Sequence, residues 1–382
     1  MPFELGLYPE LRQRDVVVID PRGVGVSRPR ITCFELISLA GETVGEPVTF
    51  DQQRADVIGA TQRCRQRMTA HQLDPSAYHS AAMADDLEDL RKVLGYPALN
   101  VYGVSYGTRI ALEYARRYPA QTRSLVLDGV VPPDADLYAD WAPNFWSALD
   151  ALFAACESDK RCRRSHRNIR DIFLQQVAEL NESPIAFDLT FGDDAYTVAV
   201  DGEDLVFLAF LSMYDSSRFL QLPYELEQLA GREPALIENS GLLGAYREYT
   251  AEAHYLSVMC SEYAPFTSAD EVAESARDLD PRIGDPFLDA TQTALDQCAV
   301  WNVPPRTAEF APVDSDVPTL LLSGEFDPVT PPAYAERVAA NLPNSTHVVV
   351  PATGHGTLIG FNACPARVVA SFLDEPLSEP NT

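Results

Sequence analysis

Short apolar runs separated by amphipathic stretches dominate the first third of the chain. Asp15-Val16-Val17-Val18-Ile19-Asp20 is continuous and β-branched, which predicts a strand buried on both faces of a parallel sheet. Ala84 to Gly95 carries apolar positions at helical spacing, with Asp85 and Asp86 in its first turn and Gly95 at its end, and predicts a helix. Val101 to Val104 predicts the next strand, Thr108 to Tyr118 a helix closed by Pro119, and Arg123 to Asp128 a further strand. Strands alternating with helices in this way predict βαβ units and a mostly parallel sheet with helices on both faces, an α/β fold.

The alternation stops after Val131. As far as Pro312 the pattern is mainly helical, as in Trp146 to Cys156 and Ile169 to Leu180, with a hairpin expected over Asp188 to Val200 around Gly192-Asp193-Asp194. The α/β pattern resumes with an apolar strand at Val317 to Ser323. A helix over Pro332 to Leu342, a strand over Thr346 to Val350 and a closing helix over Ala366 to Leu373 follow. The expected organisation is a core in two parts, 1–132 and 313–382, with a large helical cap inserted at 133–312. No internal repeat or low-complexity segment is visible.

Composition narrows the function classes. The chain has 382 residues, 46% of them hydrophobic, enough for a large core and against disorder. A net charge of −27 argues against nucleic acid and against anionic membrane surfaces, and favours cationic ligands such as a peptide's free amino terminus. No stretch approaches the length of a membrane span, and no signal peptide precedes Asp15. The seven cysteines form no C-x-x-C or Cys/His cluster, so neither a metal nor another cofactor is expected. Cys156 and Cys162 flank a polar turn of a kind often closed by a disulfide. Cys33 with Cys64 and Cys260 with Cys298 are further candidate pairs, which would leave Cys364 over; spacing alone does not fix the connectivity. Such cysteine use favours an exported protein.

The chemistry concentrates in Gly103-Val104-Ser105-Tyr106-Gly107. A G-x-S-x-G turn between a strand and a helix holds its serine at the tip of a strained elbow, so Ser105 is the candidate nucleophile and the Tyr106 backbone N–H a candidate oxyanion donor. The serine needs a base, and the base a carboxylate. Of six histidines, His355 lies in Gly354-His355-Gly356 just beyond a predicted parallel strand, where open α/β sheets place their ligand chemistry. His71, His79 and His166 are expected to face solvent, and His254 and His347 to be structural. Asp327 occupies the equivalent loop after the Val317 strand, with Glu325 as its local rival. Ser, Asp, His in that chain order is the order of α/β-hydrolases. Asp20 and Arg22, in Asp20-Pro21-Arg22-Gly23-Val24-Gly25-Val26-Ser27, are expected to brace loops rather than react.

These stretches, with Gly324-Glu325-Phe326-Asp327-Pro328-Val329-Thr330-Pro331, Cys260-Ser261-Glu262-Tyr263 and Cys298-Ala299-Val300-Trp301, together resemble the prolyl aminopeptidase branch of the α/β-hydrolases, and most of all its secreted tripeptidyl aminopeptidase-like members. The resemblance covers nearly the whole chain, most weakly from about Leu137 to Leu256. It implies a serine peptidase that releases N-terminal residues or short peptides through an acyl-enzyme, with Ser105, Asp327 and His355 as the triad. It further implies a carboxylate near the cap for the substrate ammonium, for which Glu262 is the candidate. Family members carry a glycine-rich oxyanion loop after an earlier strand; nothing like it precedes Asp15, so the chain is expected to be shortened at its start, and the full-length protein secreted or periplasmic. Peptides or small esters and amides are the expected partners. The alternatives are a carboxylesterase of the same fold, or a low-activity, even catalytically silent, chain lacking that loop.

Overall fold

A computed structural model describes residues 14–43, 49–191, 194–214, 218–233, 235–239, 251–358 and 363–378. Its main sheet has four parallel strands in the order β1 (Leu99–Val104), β2 (Thr122–Asp128), β5 (Thr319–Gly324) and β6 (Ser345–Val350). A separate antiparallel pair joins β3 (Ile185–Phe191) to β4 (Asp194–Val200). The expected hairpin is therefore present, while its turn residues Gly192 and Asp193, like the chain start 1–13 and the tail 379–382, lie outside the described residues.

Side chains alternate across the main sheet, as the two-residue strand period requires. Leu125, Leu127 and Leu321 point to one face, against Leu112 of the helix Tyr106–Arg117 and Val338 of the helix Pro332–Ala339. Val126, Leu320 and Leu322 point to the other, against Val369 and Phe372 of the helix Ala363–Asp374. Both faces are thus covered, which is why these strands read as unbroken apolar runs. The helix Ser80–Leu94 ends where Gly95 takes φ +76°, with Gly95 N–H on Lys92 O and Tyr96 N–H on Arg91 O. This left-handed cap satisfies carbonyls that the helix end would otherwise leave open.

Between β2 and β5 lie the β3–β4 pair and a series of helices from Leu137–Ser158 to Pro281–Trp301. They have a core of their own, built on Phe145, Leu149, Phe153, Phe173, Val177, Leu226 and Phe287. Phe326, in the loop after β5, joins that core and packs on Phe219, and Tyr334 O–H donates to Asp140 at 2.6 Å. The insertion is therefore fastened to the loop that carries Asp327.

One predicted strand is absent. Asp15–Asp20 takes no regular secondary structure and belongs to no ladder among the described residues, and Val16 to Ile19 remain 42–59% exposed. An apolar β-branched run becomes a strand only where a neighbour completes its hydrogen bonds, and among the described residues β1 pairs with β2 alone. The loop that follows does brace. Ser27 O–H donates to Asp20 O, and the Arg22 guanidinium bridges Asp86 and the carbonyls of Ala77 and Ala82. Three disulfides join Cys33 to Cys64, Cys156 to Cys162 and Cys260 to Cys298; Cys364 is exposed outside them.

Candidate active site

Ser105 sits between the end of β1 and the helix Tyr106–Arg117 with φ +56° and ψ −127°, a conformation that a non-glycine residue adopts under strain. The surrounding backbone fixes it there. Ser105 N–H donates to Asp128 O at 2.9 Å, and Ser105 O accepts from Thr108 N–H and from the Thr108 hydroxyl at 2.7 Å. Gly103 makes the turn sterically possible: a Cβ there would stand 2.3 Å from Gly107 O. Gly107, the other glycine of the motif, has no such neighbour within 4 Å. Tyr106 is the first helical residue, a position whose backbone N–H has no acceptor within its own helix.

The loops after β5 and β6 bring Asp327 and His355 together, each only 1% exposed. His355 Nδ1 is 2.9 Å from Asp327 Oδ2. Asp327 Oδ1 accepts from the backbone N–H of Val329 and Thr330 at 2.9 and 2.8 Å, so the same carboxylate closes its own turn and faces the imidazole. Thr330 completes the arrangement: its hydroxyl donates to Asp327 Oδ2 at 2.6 Å and lies 3.1 Å from His355 Nδ1. Burial opposes a charged imidazolium at His355, but the facing Asp327 carboxylate, its hydrogen bond and the more distant Asp128 outweigh it, and the pKa is raised above 6.5. Glu325 is exposed and instead accepts from Ala352 N–H at 2.8 Å, holding the start of the His355 loop.

Ser105 and His355 meet through shared neighbours. Tyr214, the last residue of the helix Gly202–Tyr214 in the insertion, packs at a tilt of 46° against the His355 ring with centroids 4.4 Å apart, and its phenol lies near the Ser105 side chain. Gly129, directly after β2, lies against the same ring: a Cβ there would approach His355 Cε1 to 3.2 Å. The elbow, the acid loop and the histidine loop thus converge at the C-terminal ends of β1, β5 and β6. Sequence reasoning missed Thr330, Gly129 and Tyr214. The three-residue step from Asp327 to Thr330 was a readable signal, because aspartate commonly caps a turn at that spacing. Tyr214 carried none, since only the packing of the insertion brings it here.

Glu262 requires a correction. It is fully buried, its Oε1 accepts from Ser80 N–H and from the Ser80 hydroxyl at 2.7 Å, and its Oε2 lies 2.8 Å from Arg109 Nε. Arg109 in turn stacks on Tyr263 and donates to Pro133 O. A carboxylate so committed joins the helices that carry it and is shut off from a substrate ammonium. His79 is also not a solvent-facing residue. Its Nδ1 accepts from Ala82 N–H as the cap of the helix Ser80–Leu94, and burial with the nearby Arg306 pushes its pKa down to about 4. His254 and His347 are tied to Arg22 O and to the Ser323 hydroxyl.

Among the described residues no group of three or more His, Cys, Asp or Glu is arranged to hold a metal ion, and no helix is long and apolar enough to cross a membrane. Comparison with known proteins agrees with the architecture. Serine protease Hip1 of Mycobacterium tuberculosis is 25% identical over 407 aligned positions, covering 97% of this chain and 75% of that protein. Tripeptidyl aminopeptidase of Streptomyces lividans is 34% identical over 344 positions, covering 83% of this chain and 60% of that protein. A proline iminopeptidase of Xylella fastidiosa is 47% identical over 45 residues, 12% of this chain and 14% of that protein. The family model described as alpha/beta hydrolase fold matches residues 2–360, and with its parallel sheet and serine elbow the chain belongs to that family, as a hydrolase of the serine type.

Proposed function

We propose that the protein is a serine exopeptidase that releases N-terminal residues or short peptides through an acyl-enzyme. The observation that carries this is the buried Asp327–His355 pair, set at the same end of the parallel sheet as the strained Ser105 elbow. Ser105 Oγ attacks the scissile carbonyl while His355 Nε2 takes its proton, and Asp327 holds the Nδ1–H and stabilises the imidazolium. The tetrahedral oxyanion receives the Tyr106 N–H at the positive end of its helix. His355 then returns the proton to the departing amine, and a water, deprotonated by the same nitrogen, releases the acyl group and restores Ser105. Exopeptidase action is supported by the similarity to tripeptidyl aminopeptidase, and by a net charge of −27 that draws in a cationic amino terminus. The insertion at 133–312 acts as a cap that restricts entry to chain ends. Three disulfides fit a secreted or periplasmic protein.

The test compares tripeptidyl nitroanilides carrying free or acetylated amino termini with nitrophenyl esters of simple acids. Preference for the free amine by at least tenfold in kcat/KM is expected. Equal rates on blocked and free peptides, with faster ester cleavage, would reject exopeptidase action in favour of an esterase.

A further inference from the structure

A second carboxylate, apart from the Asp327–His355 pair, connects the two halves of the site. Asp128 is the last residue of β2 and is fully buried. Its Oδ1 accepts from Thr357 N–H at 2.8 Å, and its Oδ2 from Leu358 N–H at 3.1 Å and from Tyr102 O–H of β1 at 3.0 Å. Thr357 and Leu358 stand two and three residues after His355, so the side chain of Asp128 holds the loop that presents the imidazole. The main chain of the same residue holds the other partner, because Asp128 O accepts from Ser105 N–H at 2.9 Å. Its neighbour Gly129 lies against the imidazole.

We propose that Asp128 is a positioning residue that sets the separation of Ser105 and His355, its backbone carbonyl fixing the elbow and its carboxylate fixing the histidine loop. The inference rests on Ser105 and His355 being nucleophile and base. All of the partners named are donors, two backbone N–H groups and a phenol, and none is a cation. Two of these partners are backbone N–H groups that can only donate, which favours the ionised form. Burial raises the Asp128 pKa above the usual carboxylate value, and these hydrogen bonds offset part of that rise. In its ionised form Asp128 adds a negative charge that favours the imidazolium of His355, and none of the partners named is an arginine or lysine. Carboxylates are rarely buried in this way without a structural or functional reason. Three titratable groups face His355: Asp327 from the acid loop, Asp128 from β2 and the Tyr214 phenol from the insertion. Of these, Asp128 is the only carboxylate that reaches the imidazole through its loop instead of by direct contact.

The test is Asp128→Asn in the full chain, assayed across pH on whichever substrate the wild type cleaves. The amide keeps the shape but loses the charge and turns a donor toward one of the N–H groups. The expected result is a fall of ten- to a hundredfold in kcat with KM nearly unchanged, since misplacement of reacting groups by a fraction of an ångström to 1 Å is felt in the chemical step. The acid limb of kcat/KM should also move to lower pH, because losing a negative charge near His355 makes its imidazolium easier to deprotonate. A purely structural residue would lower activity and leave that limb in place. Tyr102→Phe removes one donor from Oδ2 and leaves both backbone bonds, and is expected to lower kcat several-fold at constant KM; it decides the matter if the asparagine variant does not fold. Wild-type kcat in either folded variant, or an acid limb that stays put in Asp128→Asn, would overturn the inference. Should Ser105→Ala retain full activity, the underlying reading of the site fails instead, whatever the Asp128 variants do.

Discussion

The two glycines of the elbow should respond in opposite ways to the same substitution. In Gly103→Ala the new Cβ would stand 2.3 Å from Gly107 O, 2.5 Å from Gly107 C and 2.7 Å from Thr108 N, all of them backbone atoms. Ordinary contact begins at 3.4 Å, so the start of the helix Tyr106–Arg117 would have to retreat by the difference of 3.4 and 2.3, about 1 Å. Overpacking of that kind destabilises by about 1–3 kcal/mol. A displacement of about 1 Å at the nucleophile lowers the rate by roughly 10²-fold. In Gly107→Ala the new methyl meets nothing within 4 Å and sits inside the helix, where alanine is favoured over glycine by up to about 1 kcal/mol. Thermal melts at fixed scan rate should therefore separate the two variants, Gly103→Ala below wild type and Gly107→Ala at or above it. Labelling of Ser105 by a fluorophosphonate should slow about 10²-fold in Gly103→Ala. A Gly103→Ala protein that melts and labels like wild type would refute the claim that strand and helix are pressed together here.

Three further outcomes are expected. The acid limb of kcat/KM should inflect above pH 6.5, because the base must lose a proton that Asp327 holds on against the effect of burial; a limb at or below 6.5 would contradict the pairing. Glu262→Gln should destabilise the protein by about 3–5 kcal/mol, the usual consequence of leaving a buried partner such as Arg109 uncompensated, while any preference for a free substrate amine persists; unchanged stability with a lost preference would return Glu262 to the substrate. Reducing the disulfides should lower the melting temperature, since the Cys33–Cys64 and Cys260–Cys298 bridges join residues 31 and 38 positions apart, and each such cross-link contributes about 2–4 kcal/mol. Equal melting with and without reductant would argue against them.

Where local rules decide the outcome, the sequence was legible. The apolar runs that became β2 and β5 are buried on both faces and could hardly be read otherwise, β6 is only half-buried, and Gly95 ends its helix as left-handed glycines do. The elbow could be read because only a glycine fits at Gly103. Asp327 and His355 followed from their places beyond parallel strands. What stayed hidden depends on partners distant in the chain. Val16 to Ile19 have the composition of a strand but find no ladder among the described residues. Glu262 has the chemistry of an ammonium site, yet its surroundings are Arg109 and Ser80, which no local pattern announces. Tyr214 reaches His355 only because the insertion folds back over the sheet.

The role of Ser105, with Asp327 and His355 behind it, is the centre of the account. Reaction with a fluorophosphonate, followed by peptide mapping in the mass spectrometer, tests it most directly. One adduct per chain on Ser105 is expected, absent in Ser105→Ala and slowed at least a hundredfold in His355→Ala and Asp327→Asn. An adduct on another residue, or labelling of Ser105 at an undiminished rate in the His355 and Asp327 variants, would contradict it.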